Sequence, residues 1–373
     1  MPQTLKHRWS LGHNYLAGIT AGDWWRLLRE NKFAVDPVYW HRAAFVSAVS
    51  LLNSFYRRKE ERLYHDAIAQ TQITRPPLFL LGHWRSGTTH LHNLLAQDTE
   101  QFTYANTYQV INPHTFLGTE DINTRRFAKL IPNKRPMDNM ALSFQTPQED
   151  EFAPCLITLR SLYLGISFPR REDDYGRYLT FRDVPRAEVE QWKAGFTWFL
   201  KKLTLKYPGR TIVLKSPPHT ARVKMLLEMF PGARFIHIHR EPYTVFQSCQ
   251  HFYDTAMWYT YMQRPELEKT NERILLRYTA VYEAFFEERA LIPPDRFHEI
   301  SFEDLERDPV RQVQAIYEKL NLSGFPKLQP KLQRYVGSLK DYQKNEFAPL
   351  SPELRDKVGK AWRITFEEWG YPL

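Results

Sequence analysis

Three basic residues, each at or just beyond the end of a short apolar run, are the residues best placed to do chemistry. They are Arg85, Lys215 and Arg240. Apolar runs that alternate with helical patterns predict the strands of a parallel sheet. Ligands of such sheets bind beyond the carboxyl ends of the strands. Because all three side chains carry positive charge, we expect an anionic ligand at this edge of the sheet.

The stretch Gly82–Thr89, GHWRSGTT, predicts a loop that binds an oxyanion. Its glycine spacing matches the phosphate-binding pattern G-x-x-x-x-G-K-[ST], but Thr88 stands where the lysine should be. Without that lysine, a magnesium-dependent nucleotide triphosphatase is a poor match. Backbone N–H groups, the hydroxyls of Ser86, Thr88 and Thr89 and the Arg85 guanidinium still suit a terminal phosphate or a sulfuryl group. The alternative is an ordinary strand–turn–helix in which Ser and Thr cap the helix.

Two later stretches extend this site. Lys215 ends an apolar run before Ser-Pro-Pro, where its ammonium could neutralise charge on a leaving oxygen. The alternative for Lys215 is a solvated surface position. Arg240 ends the next run, and Ser248 lies two turns into the helix that Pro242 opens. These two residues predict a second anion pocket, so the ligand would be a bisphosphate or resemble a dinucleotide.

The motifs RSGTTHL, LKSPP and HREPxxxxxS, in this order, resemble the sulfotransferases that use 3′-phosphoadenosine 5′-phosphosulfate (PAPS). The resemblance covers most of residues 76–310, including the segment ISFEDLERDP, and implies a P-loop-like α/β fold. It also implies sulfuryl transfer from PAPS to a hydroxyl, without a required metal, leaving adenosine 3′,5′-bisphosphate (PAP). The implied contacts with the donor are Arg85, Ser86, Gly87, Thr88, Thr89 and His90 for the 5′-phosphosulfate, and Arg240 and Ser248 for the 3′-phosphate.

Within this family the sequence is more similar to the branch of tyrosylprotein and bacterial lipid or carbohydrate sulfotransferases. That branch has arginine in the loop and lysine after the next core strand, as Arg85 and Lys215 are here. Steroid and phenol sulfotransferases usually have Lys-Ser-Gly-Thr-Thr in the loop and a C-terminal Arg-Lys-Gly segment, which this sequence lacks. In place of that segment, Tyr342 and Lys344 are candidates for contacts with the adenosine bisphosphate.

The acceptor hydroxyl needs a general base, for which the acidic cluster TPQEDEFA is the richest candidate. Glu149 is the first choice and Glu151 the second, and His90 and His219 are further candidates because an imidazole titrates near neutral pH. The alternative is that one acid caps a helix and the others are solvated. Arg85 and Lys215 would stabilise the charge that develops during in-line transfer.

The acceptor itself is only indicated by composition. Aromatic residues crowd His251–Met262 and the N-terminal region, which favours a small hydrophobic alcohol such as a sterol, a quinone-type lipid or a phenol. The same rings could stack on sugars, or could belong to the core. Two other classes remain as alternatives, a kinase on a degenerate phosphate loop and a nucleic-acid-binding protein. Scattered basic residues speak against a nucleic-acid partner.

The elements that position these residues follow from pattern and composition. A helical N-terminal cap is predicted over residues 1–75, with a helix opened by Asp36 and Pro37, and an α/β domain over residues 76–373. With a net charge of +9, two cysteines and no long apolar segment, we expect a cytoplasmic chain, with contact to a membrane surface left open. Strands are predicted at 78–81, 211–214, 234–238 and 297–300. Helices are predicted at 88–97, 187–206, 219–230, 242–254, 267–290, 309–320 and 352–368.

Overall fold

The structure is a computed structural model of the 373-residue chain. It describes residues 5–127, 135, 137–138, 140–340 and 342–373.

Five parallel strands form the central sheet, in the order β2-β3-β1-β4-β5. Four of them lie where the sequence predicts strands, within one residue at each end. The remaining strand, Phe102–Tyr104, is missing from the prediction because three residues are too few to show a period. The strands are β1 Leu78–Leu81, β2 Phe102–Tyr104, β3 Thr211–Lys215, β4 Arg234–His239 and β5 Phe297–Ser301.

Helices surround the sheet. The α-helices of the described residues are α1 Ala21–Glu30, α2 Trp40–Gln70, α3 Thr88–Leu95, α4 Thr107–Ile111, α5 Phe116–Phe127, α6 Phe152–Thr158, α7 Leu164–Ser167, α8 Glu172–Gly176, α9 Arg186–Lys206, α10 Val223–Met229, α11 Pro242–Thr255, α12 Thr270–Glu288, α13 Phe302–Arg307, α14 Pro309–Lys319, α15 Phe325–Ser338, α16 Pro352–Ala361 and α17 Arg363–Trp369. Short 3₁₀ helices lie at Tyr15–Gly18, Pro37–Tyr39, Pro169–Arg171, Pro217–Ala221, Met257–Tyr259, Leu267–Lys269, Arg289–Leu291 and Pro294–Arg296.

The start of the long cap helix differs from the prediction. Pro37 opens a 3₁₀ turn, and α2 begins only at Trp40. The Asp36 side chain does not cap this turn. Its carboxylate instead accepts hydrogen bonds from the Arg170 guanidinium and from the backbone N–H of Arg264, at 2.7 Å each. These distant partners compete with the local capping role.

Alternation along the strands divides the interior into two apolar clusters. Phe79 and Leu81 of β1 point into the larger cluster, which also contains Trp24 and Val46 of the cap. Leu80 lies in the smaller cluster on the opposite face. Cap and sheet therefore share one core. The division at residue 75 stays a prediction.

Two general properties of the chain bear on its surroundings. Among the residues that the structure describes, no helix has the length and apolar character needed to cross a bilayer. Cys155 and Cys249 are both buried and unpaired.

Candidate active site

The loop after β1 is held in a backbone conformation that places Arg85 at the carboxyl edge of the sheet. Arg85 itself has a φ of 72°, and Gly87 has a φ of 97°. A Cβ at Gly87 would lie 2.2 Å from the Phe302 ring, so only glycine fits there. The backbone N–H of Gly82 donates to Oγ1 of Thr220 at 2.7 Å, which ties the loop to the segment after β3.

The Arg85 guanidinium lies between a hydroxyl and a carboxylate. Its Nε donates to Oγ of Ser248 at 2.9 Å, and its NH1 lies 3.1 Å from Oδ2 of Asp138. Arg135 also reaches this carboxylate, at 3.4 Å. Burial alone would raise the pKa of Asp138, but the two guanidiniums lower it below its ordinary value. Asp138 thus supplies negative charge where the sequence predicts an anionic ligand.

Arg240 lies against the same loop. Its NH1 donates to the carbonyl oxygen of Arg85 at 3.3 Å, and its guanidinium lies 4.2 Å from the centre of the Phe302 ring. Burial lowers the pKa of Arg240, and the nearby Glu303 opposes that shift. Ser248 accepts a hydrogen bond from Arg85, so the two predicted anion pockets adjoin each other at this edge of the sheet.

Glu149 and Lys215 lie far apart in the sequence but form an ion pair in the structure. The Lys215 ammonium donates to Oε1 of Glu149 at 3.0 Å, and the Tyr163 hydroxyl donates to Oε2. The Lys215 side chain is 1% exposed and that of Glu149 15% exposed. Burial lowers the pKa of Lys215 below its ordinary value, and Glu149 partly offsets this. Both carboxylate oxygens of Glu149 are therefore fixed in orientation.

Glu151 and His219, the other predicted acid–base candidates, lie in the core. Glu151 is fully buried and pairs with the Arg222 guanidinium at 2.8 Å. The Nε2 of His219 lies 2.6 Å from Oδ2 of Asp150, with both side chains buried. Neither residue lines the cavity described below. Their placement corrects the expectation that they face the acceptor, because Glu151 is paired with Arg222 and His219 is hydrogen-bonded to Asp150 inside the core, away from the cavity wall.

The remaining predicted donor contacts have mixed placements. Thr88 and Thr89 line the cavity, and NH1 of Arg135 donates to the Thr89 hydroxyl at 3.3 Å. Ser86 is buried and donates to the His83 carbonyl oxygen at 2.8 Å, so its hydroxyl stabilises the loop.

His90 and the C-terminal candidates lie around the loop without lining the cavity. Burial lowers the pKa of His90, and the nearby Glu306 partly offsets this. Lys344 forms an ion pair with Glu306. The Tyr342 hydroxyl donates to the Asp138 carbonyl oxygen at 2.6 Å. These contacts leave the binding roles of His90, Tyr342 and Lys344 as predictions.

A cavity of about 880 Å³ extends from the Arg85 loop to the N-terminal cap. Arg85 and Glu149 lie on its wall, which is mostly apolar elsewhere. The predicted aromatic run and the cap both contribute to it. Apolar lining residues from these regions are Leu11, Phe45, Val49, Leu52, Tyr56, Phe252, Met257 and Tyr259.

Several polar residues of this cavity were not predicted from the sequence. Tyr163 is one of them, and a cluster of Glu172, Tyr253 and Arg277 is another. The Arg277 guanidinium contacts Oε1 of Glu172 at 2.5 Å and the Tyr253 hydroxyl at 2.9 Å. Tyr253 lies within the predicted aromatic run, which was its only signal. Tyr163 and Glu172 lie near short helices without a visible period.

Comparison with known proteins defines the class. The family model described as "Sulfotransferase family" matches residues 76–327, which is more than half of the chain. The chain belongs to the sulfotransferase family and is a sulfotransferase. The predicted resemblance, α/β fold and enzyme class are confirmed, and the kinase and nucleic-acid alternatives fall away.

A curated relative gives a closer comparison. The chain is 37% identical over 358 residues to the omega-hydroxy-beta-dihydromenaquinone-9 sulfotransferase Stf3 of Mycobacterium bovis, covering 95% of this chain and 90% of Stf3. The Mycobacterium tuberculosis Stf3 matches to the same extent.

Two crystal structures share the fold at low sequence identity. Sulfotransferase STF9 from Mycobacterium avium matches with a TM-score of 0.68 and 16% identity, covering 94% of this chain and 96% of STF9. Sulfotransferase STF1 from M. tuberculosis matches with a TM-score of 0.65 and 16% identity, covering 95% and 93%. At this identity the two structures support the fold alone.

Proposed function

We propose that this enzyme transfers a sulfuryl group from PAPS to the hydroxyl of a long apolar lipid, and specifically of a quinone-type lipid. The observation that carries the proposal is the single cavity that joins Arg85 and Glu149 to an apolar chamber. Its volume of about 880 Å³ is near the upper end for small-molecule sites. Stf3, which is named for a menaquinone hydroxyl, supports this acceptor class.

The donor end of the site comprises Arg85, Lys215, Arg240 and Ser248. The guanidiniums of Arg85 and Arg240 offer planar pairs of N–H donors, which suit phosphate and sulfate oxygens. In this proposal Arg240 and Ser248 hold the 3′-phosphate, and the Arg85 loop holds the 5′-phosphosulfate. Because Lys215 is buried at the end of β3, its charge is little screened by water and stabilises the departing phosphate strongly.

Glu149 is the proposed general base. The acceptor oxygen forms a bond to sulfur while the bond from sulfur to the 5′-phosphate oxygen breaks. The acceptor proton passes to a carboxylate oxygen of Glu149, and the electron pair of the broken bond leaves with PAP. Lys215 and Tyr163 orient the carboxylate. Because Lys215 also carries the charge that stabilises the leaving group, in this proposal it lies between the base and that group. We infer no metal in this scheme, since charge stabilisation comes from Arg85 and Lys215.

The acceptor end of the cavity comprises Val49, Leu52, Tyr56, Phe252 and Met257. Apart from the Tyr56 hydroxyl, these side chains offer apolar surface without hydrogen-bond donors, which favours a hydrocarbon chain over a sugar. The alternative of a carbohydrate acceptor would rely on the cluster of Glu172, Tyr253 and Arg277. The mutual hydrogen bonds of that cluster leave few free groups for hydroxyls.

Two measurements test the proposed function. Calorimetric titration should show tight binding of PAP, and weak binding of ATP that does not depend on magnesium. With PAPS present, sulfate should be transferred to a terminally hydroxylated polyprenyl quinone dispersed in detergent, faster than to a sterol or an alkyl glucoside. Preference for ATP with magnesium would overturn the donor assignment, and preference for the glucoside would overturn the acceptor assignment.

A further inference from the structure

Exposed apolar side chains form a continuous face beside the mouth of the cavity. On α2 they are Leu51, Leu52, Phe55 and Tyr56, of which Leu51 is 66% exposed and Phe55 63% exposed. Residues three and four apart lie on one side of a helix, so these four side chains share one face. An exposed apolar patch of this kind on a folded domain commonly marks an interaction site.

Helix α5 adds two further exposed apolar residues. It packs beside α2, where the Gly118 N–H donates to Oε2 of the buried Glu60 at 2.9 Å. Its exposed apolar residues are Ile122 and Phe127. We call the set of Leu51, Leu52, Phe55, Tyr56, Ile122 and Phe127 the docking face.

The docking face is continuous with the cavity. Leu52, Tyr56 and Phe127 are exposed to solvent and also line the cavity wall. A hydrocarbon chain entering beside these residues would therefore pass from the exposed face to the interior along apolar side chains. Such an entrance has no purpose for a water-soluble acceptor, but suits one that resides in a bilayer.

Basic residues border the docking face. They are Arg58, Lys59, Arg62, Arg125 and Arg126, all exposed. None of the five has a carboxylate within ion-pair distance among the described residues. Two of the nearby acids already lie opposite other cations, since Glu61 pairs with Arg57 at 2.8 Å and Asp121 lies 3.9 Å from Lys206. Free positive charge beside exposed apolar rings is typical of surfaces that bind anionic lipid.

We propose that the docking face binds the surface of an anionic phospholipid bilayer and admits the lipid acceptor directly into the cavity. The apolar side chains enter the interface, and the bordering arginines and lysine contact the headgroups. The proposal rests on the proposed function in one respect, because it takes the acceptor to be a membrane lipid. The proposal adds the surface through which the enzyme takes up that acceptor from the bilayer.

Vesicle sedimentation with the full chain tests the docking face without any turnover. The vesicles contain two parts phosphatidylcholine to one part phosphatidylglycerol, with pure phosphatidylcholine for comparison. The wild type should bind the anionic vesicles, and the Leu51→Ser, Phe55→Ser double variant should lose about tenfold or more in partitioning. Neither residue lines the cavity. The matched control is Leu276→Ser, Ile364→Ser, which changes similarly exposed side chains elsewhere and should bind like the wild type.

A second variant tests how much the basic residues contribute to vesicle binding. Arg58→Gln with Lys59→Gln should weaken binding to anionic vesicles and reduce its salt dependence, with the circular dichroism spectrum unchanged. Equal partitioning of wild type and both docking-face variants would overturn the proposal. So would a shift from dimer to monomer in the Leu51→Ser, Phe55→Ser variant without loss of vesicle binding, since the face would then contact a second copy.

Turnover separates this proposal from the proposed function. The Leu51→Ser, Phe55→Ser variant should sulfate a detergent-dispersed polyprenyl quinone at the wild-type rate, and a vesicle-embedded one at least several-fold more slowly. A wild type that sulfates the dispersed acceptor but binds no vesicles overturns the docking face alone. Vesicle binding without sulfation of either form supports the docking face and overturns the acceptor assignment.

Discussion

The donor end and the acceptor end of the proposed site are built in different ways, and of the donor-end residues Arg85 lines the cavity. At the donor end, charged side chains follow the ends of adjacent strands and are fixed by polar contacts, as Arg85 is by Ser248 and Asp138. At the acceptor end, the walls come from helices of the cap, from the region between residues 107 and 172, and from α11 and the segment that follows it, and Val49 and Phe252 contribute apolar surface only. In the proposed function, the donor end therefore sets the chemistry, whereas the acceptor end selects a substrate by shape and polarity.

This difference implies that changes at the two ends should have separable effects. Changes at the donor end should alter binding of PAP for every acceptor. Changes at the acceptor end should alter the preference among acceptors and leave the affinity for PAP unchanged. Glu149 lies between the two ends, since it contacts Lys215 and also lines the cavity.

The largest effect is expected for Glu149→Gln. The amide keeps the shape of the side chain but cannot accept the acceptor proton, so kcat should fall by about 10²- to 10⁴-fold. Affinity for PAP should change little, as measured by calorimetry. Glu353→Gln, at an exposed position in α16, serves as the control. A turnover close to that of the wild type would mean that another group accepts the proton.

The next effect is expected for Arg240→Ala, at the donor end. Loss of a charged hydrogen-bonding partner should weaken PAP binding by about 10- to 100-fold, to the same extent whichever acceptor is present. Arg307→Ala removes the same charge from an exposed position in α13 and should bind PAP normally. If Arg240→Ala bound PAP as well as the control does, the 3′-phosphate would have to be held elsewhere.

The sequence predicted the strand, the turn and the helix that carry the Arg85 loop because their signals are local, and the binding roles at the donor end stay predictions. A strand, a glycine-containing turn and a helix start follow each other within Leu78–Leu95, so the motif carries its own geometry. Glu149 was also a correct choice for a residue facing the cavity. Glu151 and His219 do not line the cavity, because their pairing with Arg222 and Asp150 depends on contacts across the core that no local pattern reveals.

The acceptor end was predictable only as an excess of aromatic residues. Residues 102–181 contribute Tyr163 and Glu172 to the cavity, yet no element of this region was predicted. Its helices are short, with α7 spanning only Leu164–Ser167. Such helices are stabilised by tertiary packing rather than by intrinsic propensity. Which apolar side chains face a cavity and which fill the core is likewise decided by packing between distant segments.

A smaller effect, confined to the acceptor end, is expected for Val49→Phe. The added ring occupies part of the cavity wall formed by α2. It should lower kcat/KM for a long polyprenyl quinone by about tenfold, with little change for a short-chain analogue. PAP affinity should stay at the wild-type value. Val49→Ala enlarges the cavity at the same position and should keep its activity on the long acceptor. Equal losses for short and long acceptors in Val49→Phe would show that the cavity does not discriminate acceptors by chain length.

The smallest effect, and the only gain, is expected for Asp138→Asn. The Asp138 carboxylate lies 3.1 Å from Arg85 and 3.4 Å from Arg135, so an incoming phosphosulfate must compete with it for both guanidiniums. The amide keeps the shape and removes the charge. PAP affinity measured by calorimetry should therefore rise by roughly two- to fivefold, which corresponds to an ion pair of modest strength.

Asp356→Asn, which removes an exposed carboxylate paired with Lys360, is the matched control and should leave PAP affinity unchanged. A fall in PAP affinity for Asp138→Asn would reverse the interpretation. Asp138 would then hold Arg85 and Arg135 in their binding positions, and the donor end would depend on a carboxylate outside the strand ends. That outcome would make the donor end resemble the acceptor end, since both would then be assembled by contacts between segments far apart in the chain.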